Sequence, residues 1–383
     1  EQLETLFPLL HKTCEKVVLD GSLLFKWSSN GNHEPILFMS HHDVVEAGGV
    51  WEHEPFSGDI DETGRVWGRG TVDTKASLFC MLQAVEELIE AGHQPECDVY
   101  IASSCTEEWG GHGAPKTVEY LKSKGVKLAY LMDEGGMIIE EPIAGVKGIY
   151  GMVGVLEKGY GDMKFIAKSN GGHASTPPVK TVMGQLSRAV VNVEKHPFKR
   201  QMTKPVQEMF DILGRESSFL YRMIFANLWC FGPVLDIYAR LCGGEMNALM
   251  RTTVAVTKME GSKAYNVMPP KGSMGVNMRL LGDDTVESAV ARLKKIVKND
   301  NINVSVVSGM NPSIVSDTSC VEYAKLKEAI RMTWPEAVVS PYLMMACSDS
   351  RHYCKITDKV YRFSAMKLSK EERAMIHGND ERI

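Results

Sequence analysis

Apolar runs and amphipathic segments alternate over the first third of the chain. Three short apolar runs end in polar residues and predict buried strands, at residues 35–45, 98–106 and 127–133. Between the first two runs, residues 74–91 repeat their apolar positions at the period of a helix, and Gly92 is typical of the residue that follows a helix end. A second helix is predicted at 116–124. Alternating strands and helices predict a mostly parallel sheet covered by helices.

The pattern changes near residue 157. The next elements are predicted in the order strand, helix, two strands, helix, strand, at residues 160–169, 181–195, 247–258, 272–281, 284–298 and 303–307. This order is typical of a small α+β layer of the ferredoxin-like type, and residues 199–243 predict a helical insertion within it. Strand and helix patterns of the first kind then return. We therefore predict an α/β domain formed by residues 1–156 and 309–383, interrupted by an α+β domain at 157–308.

Composition and charge narrow the class of protein. The 383 residues are 44% apolar and carry a net charge of −5, which is ordinary for a globular protein and argues against a nucleic-acid partner. No apolar run approaches a membrane span. The first ten residues show no signal-peptide pattern, so we expect a cytoplasmic protein, although the chain does not begin with Met. The nine scattered cysteines form no CxxC pair, which predicts reduced thiols rather than zinc ligands.

Polar side chains collect where the predicted strands end. The three strands end in His41-His42-Asp43, in Glu107-Glu108 and in Asp133-Glu134, and Asp73 directly precedes the first long helix. The carboxyl ends of parallel strands meet at one edge of a sheet, where ligands bind. Carboxylates this close repel one another unless a cation lies between them. Mixed histidine and carboxylate ligands suit zinc, with cobalt or manganese as alternatives, and a bridging carboxylate would allow two ions.

Each of these residues also has an ordinary structural interpretation. His41 is compatible with a polar strand end, Asp73 with a helix N-cap, and Glu107 with Glu108 as a solvated acidic pair. A single one of these features would be weak support for a metal site. Their joint occurrence at three strand ends favours the metal site.

Seven segments resemble a family of co-catalytic zinc hydrolases that includes carboxypeptidase S, glutamate carboxypeptidase, aminoacylase and succinyl-diaminopimelate desuccinylase. They are SHHDVV (40–45), GRGTVDTKAS (68–77), TEEWGG (106–111), DEGG (133–136), GGHASTPP (171–178), NVMPP (266–270) and IHGNDERI (376–383). The resemblance spans nearly the whole chain and is strongest to the carboxypeptidase S branch. It implies a zinc-peptidase catalytic domain with a mostly parallel sheet, interrupted by a ferredoxin-like lid and dimerisation domain.

The resemblance implies two zinc ions per subunit and a role for each matching residue. The implied metal ligands are His41 and Asp133 for one ion, Glu108 and His377 for the other, and Asp73 as the bridge, followed by a cis Asp73–Thr74 peptide. Asp43 would orient His41, as carboxylates do for metal-bound histidines. Glu107 would be the general base that takes a proton from the metal-bound water. His173 would stabilise the oxyanion from the other subunit, which implies a homodimer.

A substrate carboxylate calls for a cationic partner, and arginine suits it through paired hydrogen bonds. Asn266 and Arg279 match family positions near the substrate, and Arg351 is a further candidate. The chain departs from the family at Asp380, where the C-terminal motif usually has Asn, and in two further places. Cys347-Ser348-Asp349 replaces a Gly-Thr-Asp loop, and the arginine that some relatives carry near residues 310–312 is absent.

We therefore expect a metallocarboxypeptidase or N-acyl amino acid amidohydrolase that cleaves an amide or peptide bond next to a free carboxylate. Its substrate would be a small peptide or an N-acyl amino acid, and we expect no membrane partner. A zinc aminopeptidase uses similar ligands, but the inserted domain argues against that alternative. A non-catalytic binding protein is a second alternative, against which the presence of Glu107 argues. The reverse reaction, which joins a fatty acid to an amino acid, stays open.

Overall fold

The computed structural model describes residues 2–143 and 145–383. The chain forms two compact units. The first contains Glu1–Leu156, Glu208–Met223 and Ile314–Ile383, and the second contains Glu157–Gln207 and Ile224–Ser313. The division after Leu156 lies where the sequence pattern changes. Glu208–Met223, which lies in the predicted helical insertion, is part of the first unit.

A nine-stranded sheet forms the centre of the first unit within the described residues. Its strands are β1 (Glu15–Leu19), β2 (Ser22–Trp27), β3 (His33–His41), β4 (Cys97–Ser104), β5 (Tyr130–Asp133), β6 (Ile138–Glu140), β7 (Ile149–Glu157), β14 (Val338–Met344) and β15 (Val360–Arg362). The strand order is β1-β2-β4-β3-β5-β15-β7-β14, with β6 paired to β7. The pairs β4-β3, β3-β5 and β5-β15 are parallel. The predicted mostly parallel sheet is confirmed at its centre.

Helices cover both faces of this sheet, which explains why its strands are continuously apolar. The helices that lie wholly in the first unit are α1 (Gln2–Leu6), α2 (Pro8–Thr13), α3 (Ala76–Glu90), α4 (Gly113–Ser123), α11 (Val321–Thr333) and α12 (Lys370–Ala374). Neighbouring residues of β4 point to opposite faces. Ile101 packs in a cluster with Leu82 of α3, whereas Tyr100 packs in a cluster with Val118 of α4.

The second unit contains a four-stranded antiparallel sheet of order β10-β12-β8-β13. Its strands are β8 (Gly159–Lys168), β10 (Thr253–Glu260), β12 (Lys271–Leu280) and β13 (Ile302–Met310), and β9 (Gly172–His173) pairs with β11 (Val267–Met268) in a separate ribbon. The helices α5 (Val182–Lys195) and α10 (Val286–Val297) share an apolar core with this sheet. This order of elements and strands confirms the predicted ferredoxin-like layer.

Four further helices are described, of which the first three lie within the predicted insertion at 199–243 and the fourth begins after it. They are α6 (Lys204–Arg215), α7 (Phe219–Ala226), α8 (Leu228–Cys242) and α9 (Gly244–Met250). The exposed side of α8 is mostly apolar, with Val234, Ile237 and Leu241 all more than half exposed. Within the described part of the chain, no helix combines the length and apolar character needed to cross a bilayer.

Candidate metal centre

The polar residues at the strand ends of the first unit lie together, as the sheet topology requires. His41 is the last residue of β3, which pairs in parallel with β4 and with β5. Glu107 follows β4 by three residues and Glu134 follows β5 directly. Asp73 lies in the irregular turn before α3, and His377 follows α12. Elements far apart in sequence therefore bring their side chains to one edge of the sheet.

Asp73 lies between the two histidines. One of its carboxylate oxygens, Oδ1, is 2.9 Å from Nε2 of His41, and the other, Oδ2, is 2.9 Å from Nε2 of His377. The Asp73–Thr74 peptide bond is cis, as the resemblance implied. A carboxylate that faces one imidazole with each oxygen has the arrangement needed to bridge two metal ions.

Further carboxylates surround each histidine. Next to His41, Nε2 is 3.4 Å from Oε1 of Glu134 and 4.0 Å from Oε2 of Glu107. Next to His377, Nε2 is 3.1 Å from Oε2 of Glu108. His41 belongs to two groups of three potential metal ligands. One group is His41, Glu107 and Glu134, and the other is His41, Asp73 and Glu108. Within each group, the ligand atoms lie within 4.8 Å of one another.

Glu134, rather than Asp133, lies beside His41. Asp133 is the last residue of β5, and its Oδ2 accepts a hydrogen bond from the backbone N–H of Ser350 at 3.1 Å. The backbone leaves the strand after Asp133, so the next side chain, that of Glu134, reaches the cluster. The resemblance implied Asp133 as the ligand at this position. The distances favour Glu134 as the potential ligand instead.

Asp43 fixes both His41 and the segment that carries the two glutamates. Nδ1 of His41 donates a hydrogen bond to the backbone carbonyl of Asp43 at 3.0 Å, which leaves Nε2 of a neutral imidazole free to bind a metal. The Asp43 carboxylate accepts the backbone N–H groups of Glu107 at 3.2 Å and Glu108 at 3.1 Å. Burial raises the pKa of Asp43, but His41 and these two N–H groups outweigh it, so the net shift is downward.

The cluster has more carboxylates than it can keep ionised. Burial raises the pKa of Glu107 to about 10, and the charge of Glu134 adds to this effect. Burial also raises the pKa of Glu134 to about 8, although the contact with His41 opposes it. Burial disfavours a charged His41, but its hydrogen bonds with Asp43, Asp73 and Glu134 dominate and raise its pKa. The buried Oε1 of Glu108 has no hydrogen-bond partner among the described residues. Divalent cations would satisfy this oxygen and offset the negative charge, so the residues fit a metal centre.

The cluster opens into a cavity of about 320 Å³ within the first unit. Asp73, Glu107, Glu134 and His377 line it, together with apolar side chains that include Met137, Met344 and Ile376. The polar groups therefore lie at one part of a space that also offers apolar surface. Such a mixture is typical of sites for small molecules.

The other predicted site residues lie elsewhere in the fold. His173 is exposed in the ribbon of the second unit, where it pairs with Val267, next to Asn266. Its Nδ1 accepts the backbone N–H of Ser175, which places the proton of the neutral ring on Nε2. Arg279 lies in β12 of the same unit, opposite Tyr160. Arg351 is buried in the first unit, within the 3-10 helix Asp349–Lys355.

Two polar residues near the cluster were not predicted from the sequence. Arg69 and Glu381 form a buried ion pair, with 2.6 Å between Nη1 and Oε2. Both lie in segments that matched the family, GRGTVDTKAS and IHGNDERI. The match of both segments to the family was the signal that the sequence offered for these two residues. Neither segment by itself indicates that Arg69 pairs with Glu381.

Comparisons with known proteins agree with this fold and site. The family model described as peptidase family M20/M25/M40 matches residues 37–383, so the chain belongs to this family. The predicted class, a metal-dependent hydrolase of amide or peptide bonds, is thereby confirmed. The metal requirement is a property of this family of metallopeptidases.

Among curated relatives, the probable carboxypeptidase S-like 2 of Dictyostelium discoideum is 33% identical over 393 residues, which cover 100% of this chain and 75% of that protein. The N-fatty-acyl-amino acid synthase/hydrolase PM20D1 of Xenopus tropicalis is 35% identical over 391 residues, which cover 100% of this chain and 76% of that protein. The predicted similarity to the carboxypeptidase S branch is confirmed.

Solved structures support the same fold. The M20 family metallo-carboxypeptidase Sso-CP2 from Sulfolobus solfataricus is similar with a TM-score of 0.68 at 16% identity, covering 100% of this chain and 88% of that chain. Human carnosine dipeptidase 1 is similar with a TM-score of 0.65 at 14% identity, covering 100% of this chain and 85% of that chain.

Proposed function

We propose that this protein binds two zinc ions and hydrolyses the amide bond of N-acyl amino acids or small peptides next to a free carboxylate. The observation that carries the proposal is the Asp73 carboxylate, which faces His41 with one oxygen and His377 with the other. The relatives named as carboxypeptidase and as N-fatty-acyl-amino acid synthase/hydrolase support the substrate class.

In this proposal Asp73 is shared between the two zinc positions. His41 and Glu134 complete one position, and Glu108 and His377 complete the other. Imidazole nitrogens and carboxylate oxygens are ordinary zinc ligands, although cobalt and manganese accept the same set. Bound zinc would supply a water ligand with a lowered pKa and would polarise the carbonyl of the substrate.

Glu107 is the proposed general base. Its Oε2 lies 4.0 Å from Nε2 of His41, so it borders the proposed metal positions, and it lines the cavity. It would take the proton from the attacking water and deliver it to the nitrogen of the leaving amine. Asp43 supports this role, because its carboxylate holds the backbone N–H of Glu107.

The groups proposed to recognise the substrate are apolar side chains of the cavity and polar residues that match family positions. The apolar side chains of the cavity, such as Met344, suit an acyl group. Arg279 or Arg351 would bind the substrate carboxylate, with Asn266 as a hydrogen-bonding partner. His173 would donate from Nε2 to the oxyanion, and in this proposal it acts in the other subunit of a homodimer. The same site would also catalyse the reverse condensation of a fatty acid with an amino acid.

The test is a hydrolysis screen of N-acyl amino acids and dipeptides with added zinc. Glu107→Gln should bind zinc as the wild type does, but its kcat should fall by about 10²- to 10⁴-fold because proton transfer is lost. A Glu107→Gln variant with full activity would refute the mechanism. A preference for peptides with a free amine over their N-acylated forms would favour an aminopeptidase instead. A zinc-loaded protein without any turnover would favour a binding protein.

A further inference from the structure

A buried ion pair joins two chain segments that carry proposed metal ligands. Arg69 lies in the segment that leads to Asp73, and Glu381 lies four residues after His377. Their side chains are almost completely buried, at 2% and 1% exposure. Burying two charges is costly unless the geometry satisfies them well, so this pair calls for a physical explanation.

Glu381 binds the Asp73 segment directly. Its Oε1 accepts three backbone N–H groups, from Gly70 at 3.1 Å, Val72 at 2.9 Å and Asp73 at 3.1 Å. The N–H groups converge because Gly70 adopts a left-handed conformation, with φ of 85°. Such convergent N–H groups form a binding site for an anion. One carboxylate oxygen therefore determines the path of the backbone up to Asp73 itself.

Arg69 binds the His377 segment. Nη1 donates to Oε2 of Glu381, and Nη2 donates to the backbone carbonyl of His377 at 3.2 Å. His377 has a positive φ of 61°, a conformation that a non-glycine residue adopts only where its surroundings hold it. The guanidinium thus contacts the residue whose imidazole lies 2.9 Å from Asp73.

We propose that Glu381 and Arg69 are positioning residues for the metal position formed by Asp73, Glu108 and His377. Together they fix the Asp73 backbone and the His377 backbone relative to each other, so that both side chains can bind the same ion. The inference rests on the proposed two-zinc function. It predicts a larger effect on this position than on the one formed by His41 and Glu134, because Arg69 contacts His377 directly, whereas the pair reaches the other position only through the shared Asp73.

The alternative is that the pair only anchors the end of the chain. Other contacts have that function: Asn379 donates from Nδ2 to the carbonyl of Val50 at 2.7 Å, and Ile383 exchanges two backbone hydrogen bonds with Val66. Asn379 is exposed, and among the described residues its side-chain amide bonds to Val50 rather than to the Asp73 segment. Asn379→Ala is therefore a matched control, since it weakens the anchoring of the same tail without disturbing the ion pair.

The experiment compares Glu381→Gln, Arg69→Lys and Asn379→Ala with the wild type. Metal-free protein is titrated with zinc against a chromophoric chelator, and cobalt is used in parallel because its absorption spectrum reports ligand geometry. In Glu381→Gln and Arg69→Lys one of the two zinc affinities should fall by about 10- to 100-fold, as loss of groups that orient ligands does. The other affinity should fall by a smaller factor, because that position shares only Asp73 with the pair's contacts. Both affinities of Asn379→Ala should change by less than about threefold, within the spread of a surface substitution.

Two results would overturn the inference. One is wild-type affinity for both ions in Glu381→Gln and Arg69→Lys. The other is an equal loss in Asn379→Ala, which would mean that tail anchoring alone matters. Thermal melting of the metal-free variants shows whether each is folded, and if Glu381→Gln is not, Arg69→Lys decides because it keeps the charge. A wild type that binds fewer than two ions contradicts the proposed function, which is a separate outcome.

Discussion

The adjacent carboxylates Asp133 and Glu134 give the sharpest test of the proposed centre. The two side chains are neighbours in sequence, yet they have different partners. Glu134 Oε1 lies 3.4 Å from Nε2 of His41, whereas Asp133 Oδ2 accepts the backbone N–H of Ser350 at 3.1 Å. Substitution of each by its amide, Glu134→Gln and Asp133→Asn, keeps the side-chain size and removes one charge. The two variants should therefore behave differently towards zinc.

The expected magnitude follows from these contacts. A charge-assisted contact contributes about 1.5–3 kcal/mol, and each 1.4 kcal/mol changes a binding constant tenfold. Glu134→Gln should therefore weaken zinc binding beside His41 by at least about 10- to 100-fold. The amide oxygen of Asp133→Asn can still accept the Ser350 N–H. This variant should lose about 1 kcal/mol in the free energy of unfolding and keep both zinc affinities.

The assay combines zinc competition with a chelator, metal content after dialysis, and denaturant unfolding of the metal-free proteins. The unfolding data separate a lost ligand from a misfolded protein. If Asp133→Asn lost zinc and Glu134→Gln retained it, the geometric assignment would be wrong and the assignment implied by the resemblance would be right. Equal losses in both variants would show that the overall charge of the cluster matters more than the position of either carboxylate.

Three further predictions concern the second unit. If Nε2 of His173 donates a hydrogen bond to the oxyanion, His173→Ala should lower kcat by about 10²- to 10³-fold with unchanged zinc content. Light scattering of the wild type should show a dimer, and a fully active monomer would contradict this role. Phe165→Ala should lower the free energy of unfolding by about 3–5 kcal/mol because Phe165 is 0% exposed in the core, which urea unfolding would measure. Burial lowers the pKa of Lys158 from 10.5 to about 7, with Arg279 contributing. Between about pH 7 and 10.5, Lys158 is therefore deprotonated in the folded protein and protonated in the unfolded chain. The free energy of unfolding of the wild type, relative to that of Lys158→Met, should rise by about 1.4 kcal/mol per pH unit in that window. A difference that stays constant with pH would refute this.

Local patterns predicted much of the fold because the sheet elements are regular. The first long helix was predicted at 74–91 and spans Ala76–Glu90, since its apolar positions have a helical period and Gly92 follows its end. Parallel pairing of β3, β4 and β5 then requires that His41, Glu107 and Glu134 lie at one edge. The gathering of these side chains follows from topology and could be anticipated without coordinates.

Other parts of the centre depend on information that no local pattern contains. Whether Asp133 or Glu134 faces His41 depends on the residue at which β5 ends, and two adjacent carboxylates give no indication of it. The ion pair of Arg69 and Glu381 joins positions 312 residues apart. The two side chains meet only because the segment after α12 folds back against the turn before α3. Such long-range contacts carry no periodic signal in the sequence.

The charge balance of the cluster connects its stability to its proposed function. Two imidazoles face a larger number of carboxylates, namely Asp43, Asp73, Glu107, Glu108, Asp133, Glu134 and Asp349. Without cations, burial and mutual repulsion raise the pKa of Glu107, Glu134 and Asp349, so these groups resist ionisation. Metal binding requires the ionised form of the ligands, so it should release protons and stabilise the fold together. Removing a carboxylate proposed as a ligand, such as that of Glu134, would relieve repulsion in the metal-free protein and weaken metal binding, because the same charge causes both effects.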